Sequence, residues 1–338
     1  MFHTNQGYYL AILLLMTILL WLSFILFIGL LLALDLGVFH RNDREPSAKD
    51  ALRWTLIWIF VGLSFAVFIY GAYSYHWFGI GLGSAGAALL DGRTAAVNYL
   101  TGFVIEYSLS LDNIFVMALI FNYFKIPVQY QHRVLFWGIL GAIVMRAAMI
   151  LAGTALVRSF DWVLYVFGVF LVFTAVKMLF KGEEDIDPEH SWIMRWVRKV
   201  IPISSEISGH HFFIRDGSGR RVATRLFLAL IFIENTDVVF AVDSIPAIFA
   251  VTTDPFLVFT SNIFAILGLR SLYFALSAML SRFYLLKYSL VFILAYVGVK
   301  MLIVKWVHFS AMVSLTIIIG ALAVGVIASL LRTSPPSR

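Results

Sequence analysis

The chain contains no cysteine. Disulfides and thiolate metal ligands are excluded, and with them the soft-metal sites that need sulfur. Charge is scarce as well. Only 13% of the 338 residues are Asp, Glu, Lys or Arg, against about 25% in a soluble domain. No G-x-x-x-x-G-K-[ST] stretch occurs, so the phosphate-cradling loop of a nucleotide-driven machine is missing. Apolar side chains fill the chain instead: 61% of residues are hydrophobic and the mean hydropathy is +0.92. This is the composition of an all-α polytopic membrane protein, whose expected partner is membrane lipid.

A span needs about 20 apolar residues. The apolar runs predict about nine transmembrane helices, at roughly 12–36, 53–74, 97–121, 133–157, 160–180, 225–249, 256–280, 284–304 and 309–331. The first run is too long for the core of a cleavable signal and ends in a charged loop. The formal charge of +6 does not call for nucleic acid, because the Lys and Arg residues flank the runs. With the N-terminus outside, eighteen of the 25 basic residues fall on the inner side, and only Arg93, Arg158 and Lys305 on the outer. Cytoplasmic loops carry such an excess, so the N-terminus is expected outside and the C-terminus in the cytoplasm.

The segment 181–224 is the only sizeable part outside the membrane. It opens on an acidic run. Trp192, Ile193, Trp196, Val197 and Val200 then share one helical face, as in an amphipathic helix lying on the inner interface. Residues 212–215 and 221–224, separated by Gly and Ser, read as a small hairpin.

The sequence repeats itself. Glu106-x5-Asp112-Asn113 matches Asp237-x5-Asp243-Ser244 in spacing. Gly138-Ile-Leu-Gly with Arg146 resembles Ala265-Ile-Leu-Gly with Arg270. Ala175-Val-Lys177 matches Gly298-Val-Lys300. Spans 3–5 and 6–8 begin on opposite sides, so the core is expected to be two inverted three-helix repeats, a pattern of secondary transporters. The expected organisation is peripheral spans 1–2 (1–96), repeat 1 (97–180), the cytoplasmic segment (181–224), repeat 2 (225–304), and span 9 with a tail (305–338).

Against this apolar background stand five acids, Glu106, Asp112, Glu234, Asp237 and Asp243. Each charged acid at a bilayer centre costs about 2.5–3.5 kcal/mol, on the order of 15 kcal/mol for five. Something must offset that. With Asn113, Asn235 and Ser244 they offer an oxygen-only set, which suits a hard cation such as Mn, Ca or Mg. No histidine falls in mid-span, against an imidazole site. On a straight helix Glu106 and Asp112 project about 120° apart, so a shared chamber calls for a break. Pro246 offers one in span 6.

Other readings stay open. The acids could be ion-paired by Arg146 and Arg270, or form a proton relay. In a sharper version, the two arginines occupy the acid cluster when it is empty and leave when a cation enters. Asp35, near the end of span 1, is either a gate or an interfacial helix-end residue. Asn262 and Ser261 read as interhelical hydrogen-bond partners. No nucleophile stands beside a base, so the chain is not expected to be an enzyme, nor to carry a resident cofactor.

At these stretches the chain resembles the TerC family of bacterial membrane proteins, and within it the alkaline-inducible Alx branch. The residues that carry the likeness are Glu106-Tyr-Ser-Leu-Ser-Leu-Asp-Asn-Ile-Phe-Val, Arg133-Val-Leu-Phe-Trp-Gly-Ile-Leu-Gly-Ala-Ile, Phe240-Ala-Val-Asp-Ser-Ile-Pro-Ala-Ile-Phe-Ala-Val-Thr-Thr-Asp-Pro-Phe and Ser261-Asn-Ile-Phe-Ala-Ile-Leu-Gly-Leu-Arg. The resemblance implies an inner-membrane protein that handles Mn²⁺, most simply by exporting it. It also implies kinship with LysE-like exporters and carries the family's acidic positions onto the five acids. Ca²⁺ or H⁺ remain alternative cargoes, and a membrane scaffold of the tellurium-resistance type remains the alternative role.

Overall fold

The computed structural model describes residues 2–39, 47–81, 90–160, 162–180, 194–195, 199–203, 211–215, 219–277, 285–307 and 309–331. Its elements in chain order are α1 (Phe2–Phe39), α2 (Ala48–Ser74), α3 (Gly92–Tyr123), α4 (Val128–Ser159), α5 (Val163–Phe180), β1 (Phe213–Arg215), β2 (Arg221–Ala223), α6 (Arg225–Phe249), α7 (Pro255–Leu267), α8 (Leu269–Leu276), α9 (Leu286–Leu302) and α10 (Ala311–Leu331). Polar caps start the helices where the apolar runs begin. Ser47 accepts from the Asp50 N–H at the head of α2. Asp91 accepts from Arg93 and Thr94 at the head of α3. Asp254 accepts from Phe256 and Leu257 at the head of α7, with Pro255 in the first turn.

A helix lies over each expected span. Six are long and apolar enough to cross a membrane, or seven if α7 and α8 form one bent span. The two that fall short do so for different reasons. Glu234, Asp237 and Asp243 interrupt α6, and α9 has only 17 residues. The chain is thus a multi-pass helical membrane protein.

Three apolar clusters hold the bundle. One joins α1, α2, α3 and α7 around Phe24, Phe65, Tyr99 and Phe264. A second joins the ends of α3 and α8 to the starts of α4 and α6. A third packs α5, α9 and α10 on α3. Helix α3 packs on α7, α6 on α4, α3 on α6, and α5 on α9. The α5–α9 contact is close: a Cβ at Gly168 would stand 3.0 Å from the Gly298 carbonyl oxygen. Small residues allow such approach where no hydrophobic force presses helices together.

The expected break at Pro246 does not occur. Helix α6 runs unbroken to Phe249, and Ala250 N–H still bonds the Pro246 carbonyl. With less than one turn beyond it, proline ends the helix rather than splitting it. The bend falls instead in the next span, at Gly268, where α7 and α8 meet at 40°. A Cβ there would lie 3.1 Å from Trp58 Cβ, so glycine lets α2 sit in the bend. Between α5 and α6, β1 and β2 pair antiparallel with Ile214 opposite Val222. The amphipathic helix expected over 192–200 lies largely outside the described residues.

Candidate functional site

Helix α4 turns one stripe inward, with Val134, Gly138, Ala142, Arg146 and Ile150 buried at four-residue spacing. Four of these are apolar or absent side chains. The fifth is a fully buried guanidinium. It is held by side chains of α3 and α6. Arg146 Nη2 donates to Asp237 Oδ1 at 2.8 Å, and Nε to Asp237 Oδ2 at 3.1 Å. This is the planar fork geometry that suits Arg and carboxylate. Nη1 donates to Glu106 Oε1 and, at 3.0 Å, to Asn262 Oδ1, with Ser244 Oγ at 3.4 Å. Asn262 Nδ2 donates to Glu106 Oε2 at 2.9 Å, and Asn113 Nδ2 to Asp237 Oδ1 at 3.4 Å. Six side chains from α3, α4, α6 and α7 thus form one network, each of them buried.

With both acids ionised, the network holds two negative charges and one positive. A buried ion pair survives only when fork geometry and added hydrogen bonds repay desolvation. Here the amides of Asn113 and Asn262 supply those bonds.

Of the expected site residues, the structure gathers Glu106, Asn113, Asp237, Ser244 and Arg146. It does not bring Asp112, Glu234 or Asp243 to the guanidinium. Helix α3 is straight, so Asp112 points away from Glu106, towards the α9 side where Lys287 acts on it. Asp243 accepts from Thr174 Oγ1 of α5 at 3.2 Å, with Lys177 one turn further on. Glu234, one turn before Asp237, lays its carboxylate on the backbone of α4 at Gly141. A side chain at Gly141 would occupy the space of that carboxylate. Among the described residues, no group of three or more His, Asp or Glu side chains is placed to hold a metal ion.

Arg270 departs from expectation. It does not enter the acid cluster. The bend at Gly268 turns α8 towards α1, and Arg270 Nη2 bonds Asp35 Oδ2 at 2.6 Å and the Asp35 carbonyl at 2.9 Å. Asp35 is 5% exposed, enclosed by the protein beside Arg270. Asn262 is an interhelical hydrogen-bond partner as expected, and its partners, Glu106 and Arg146, make it part of the network. Its signal in the sequence was an amide inside an otherwise apolar run.

The profile of the family described as integral membrane protein TerC matches residues 91–336. An uncharacterized membrane protein from Myxococcus xanthus is 46% identical over 314 residues, covering 93% of this chain and 92% of the relative. A protein of Escherichia coli (strain K12), provisionally named membrane-bound redox modulator Alx, is 44% identical over 307 residues, 90% of this chain and 92% of its own. A further uncharacterized membrane protein, from Rickettsia bellii, is 41% identical over 312 residues, 92% of this chain and 97% of its own. No solved structure matches the chain. A family profile over most of the length and relatives of this identity carry one conclusion: the chain belongs to the TerC family of integral membrane proteins.

Proposed function

We propose that the chain is a secondary exporter of a divalent cation, Mn²⁺ first, across the bacterial inner membrane. The observation that carries this reading is Arg146, buried between Glu106 of α3 and Asp237 of α6. A cation side chain already occupies a chamber whose other walls are oxygen donors. Glu106 and Asp237 supply charge, and Asn113, Asn262 and Ser244 supply neutral oxygens, a set suited to a hard dication. One arginine leaves the two carboxylates one charge short of neutrality. A dication cancels them, so its arrival would release the guanidinium. Glu234, Asp243 and Asp112 are then approach and coupling positions off the centre, and proton antiport is the natural drive for carboxylates that trade protons for metal.

The same reading takes α6 and α9 as spans, giving nine, with the N-terminus outside and the C-terminus in the cytoplasm. Helices α3–α5 and α6–α9 form the two inverted units. In support, exchanging the units maps the α3–α7 contact onto α6–α4 and returns α3–α6 and α5–α9 to themselves. The reading assigns no catalytic step and no resident cofactor. The name of the Escherichia coli relative points to redox balance. Without cysteine, this chain has no thiol of its own to exchange, and a redox effect would follow from metal balance.

Mn²⁺ uptake into inside-out vesicles holding the purified chain tests this. Flux is expected in the wild type and absent in Asp237→Asn that still inserts. Lack of flux under every imposed pH or voltage gradient, or wild-type flux in Asp237→Asn, would overturn the exporter. Proton flux without metal would select the relay. Activity that survives Asp237→Asn but is lost on altering 181–224 would select the scaffold.

A further inference from the structure

The mutually packed helices α2, α3 and α8 carry enclosed polar atoms that have no protein partner among the described residues: Trp58 Nε1 of α2, Tyr107 Oη, Ser110 Oγ and Asn113 Oδ1 of α3, and Ser271 Oγ of α8. Ser110 is fully buried and Ser271 is 2% exposed. Tyr107, Ser110 and Asn113 fall within seven residues of α3. Ser110 is three or four residues from Glu106, Tyr107 and Asn113, so its hydroxyl lies beside all three on the α3 surface. The ring edge of Tyr107 and the stem of Trp58 meet at the bend. A Cβ on Gly268 would stand 3.9 Å from Tyr107 Cε2 and 3.1 Å from Trp58 Cβ. Arg270 and Ser271 stand two and three residues after Gly268. The strip therefore runs from the Arg146 network through Ser110 and Tyr107 to the Asp35–Arg270 pair.

We propose that this strip binds a file of water molecules joining the two arginine sites. We further propose that the file connects the Glu106–Asp237 chamber to the aqueous phase beyond Asp35, the second half resting on the exporter reading above. In a bilayer there is no bulk water to satisfy enclosed polar groups, so they must pair internally or hold buried water. A buried water is held by about two to four such partners. The strip offers the needed mix: an indole donor, an amide acceptor and three hydroxyls that serve as both. Glycine at the bend leaves the space beside Tyr107 and Trp58 free of a side chain. The Asp35–Arg270 pair closes the far end, so its opening would admit ions.

The cysteine-free background makes the test direct. In the full chain in vesicles, Ser110→Cys and Ser271→Cys are exposed to a small charged methanethiosulfonate, with Val67→Cys on the outer face of α2 as the lipid-facing control. The thiolate is the reactive form and arises only where water reaches, so modification about tenfold faster than at Val67→Cys is expected. Rates no faster than the control would overturn the proposal. Should the variants fail to insert, hydroxyl-radical labelling of the wild type decides. Trp58 and Tyr107 are expected to oxidise well above Tyr99, which is fully buried and bonded to the Gly62 carbonyl; equal labelling would sink the water file. Neither readout depends on metal flux. Labelling without Mn²⁺ transport would leave the water file standing and remove the exporter; transport without labelling would do the reverse.

Discussion

The two buried arginines are built differently. Arg146 joins two carboxylates, one of α3 and one of α6, with amides of α3 and α7 completing the network. Arg270 joins one carboxylate of α1 and the main-chain carbonyl of the same residue. With both acids ionised, the first arrangement has one negative charge in excess, and it brings four helices to one point. The second sets one guanidinium against one carboxylate and ties α8 to α1. Excess negative charge under lipid is expensive, so the first place is suited to receive another cation and the second to act as a latch. Burial alone does not separate them, since both guanidiniums are almost wholly enclosed.

Removing the arginines breaks the comparison most sharply. Arg146→Leu leaves two buried carboxylates facing each other, and the loss of stability should reach or exceed the roughly 3–5 kcal/mol of a broken buried pair. Arg270→Leu leaves one, and should unfold at a higher temperature than Arg146→Leu in detergent. The reverse order would show that Arg270 is the more critical charge. Adding Asp35→Leu to Arg270→Leu should recover much of the loss, because an apolar replacement of a balanced buried pair is often neutral. If the double variant is no better than the single, Asp35 contributes more than a counter-charge.

The next effect concerns metal. Glu106→Gln and Asp237→Asn should each weaken Mn²⁺ binding by about 10–100-fold or more, the scale of a disturbed ligand set. Asp112→Asn, on the far side of α3, should change it less. Equal losses by calorimetric titration would mean that Asp112 reaches the same ion. A smaller change is expected at Gly141. Gly141→Ala displaces the Glu234 carboxylate, and overpacking of this kind costs about 1–3 kcal/mol. Thermal unfolding measures that cost, and transport kinetics show whether Glu234 serves the approach.

The smallest effect lies outside the membrane. Hydrogen bonds from Thr94 and from the backbone at the head of α3 hold the Asp91 carboxyl below the usual carboxylate range. A lowered folded value means that the cap contributes fully above the ordinary value near 3.9 and loses its contribution as pH falls through the folded one. Asp91→Ala should cost about 0.5–1 kcal/mol, the low end for a cap. The cost should shrink in acid, as read from unfolding curves at falling pH.

Much of this was legible in the chain. Nine apolar runs and the acids inside α3 and α6 all stand in linear order. The hairpin at 213–223 follows from local turn chemistry. The helical period already separated Glu106 from Asp112 by about 120°. What misled was Pro246, which suggested a break in α6 lining a shared chamber. Its position so near the end of α6 left no second half to bend. The bend at Gly268 carried no comparable signal, because its reason is Trp58, on a helix more than two hundred positions away in the chain.

Local composition therefore dictated that acids would be sunk in lipid and that their charge would need an answer, since the cost of a carboxylate in hydrocarbon depends only on where its helix lies. It could not say which acid would meet which arginine. That depended on the face each straight helix turned to its neighbours. Packing put Arg146 between Glu106 and Asp237, drew in Asn262, and sent Arg270 to Asp35. A side chain's partner is set by contacts between segments distant in sequence, and only the assembled bundle contains those contacts.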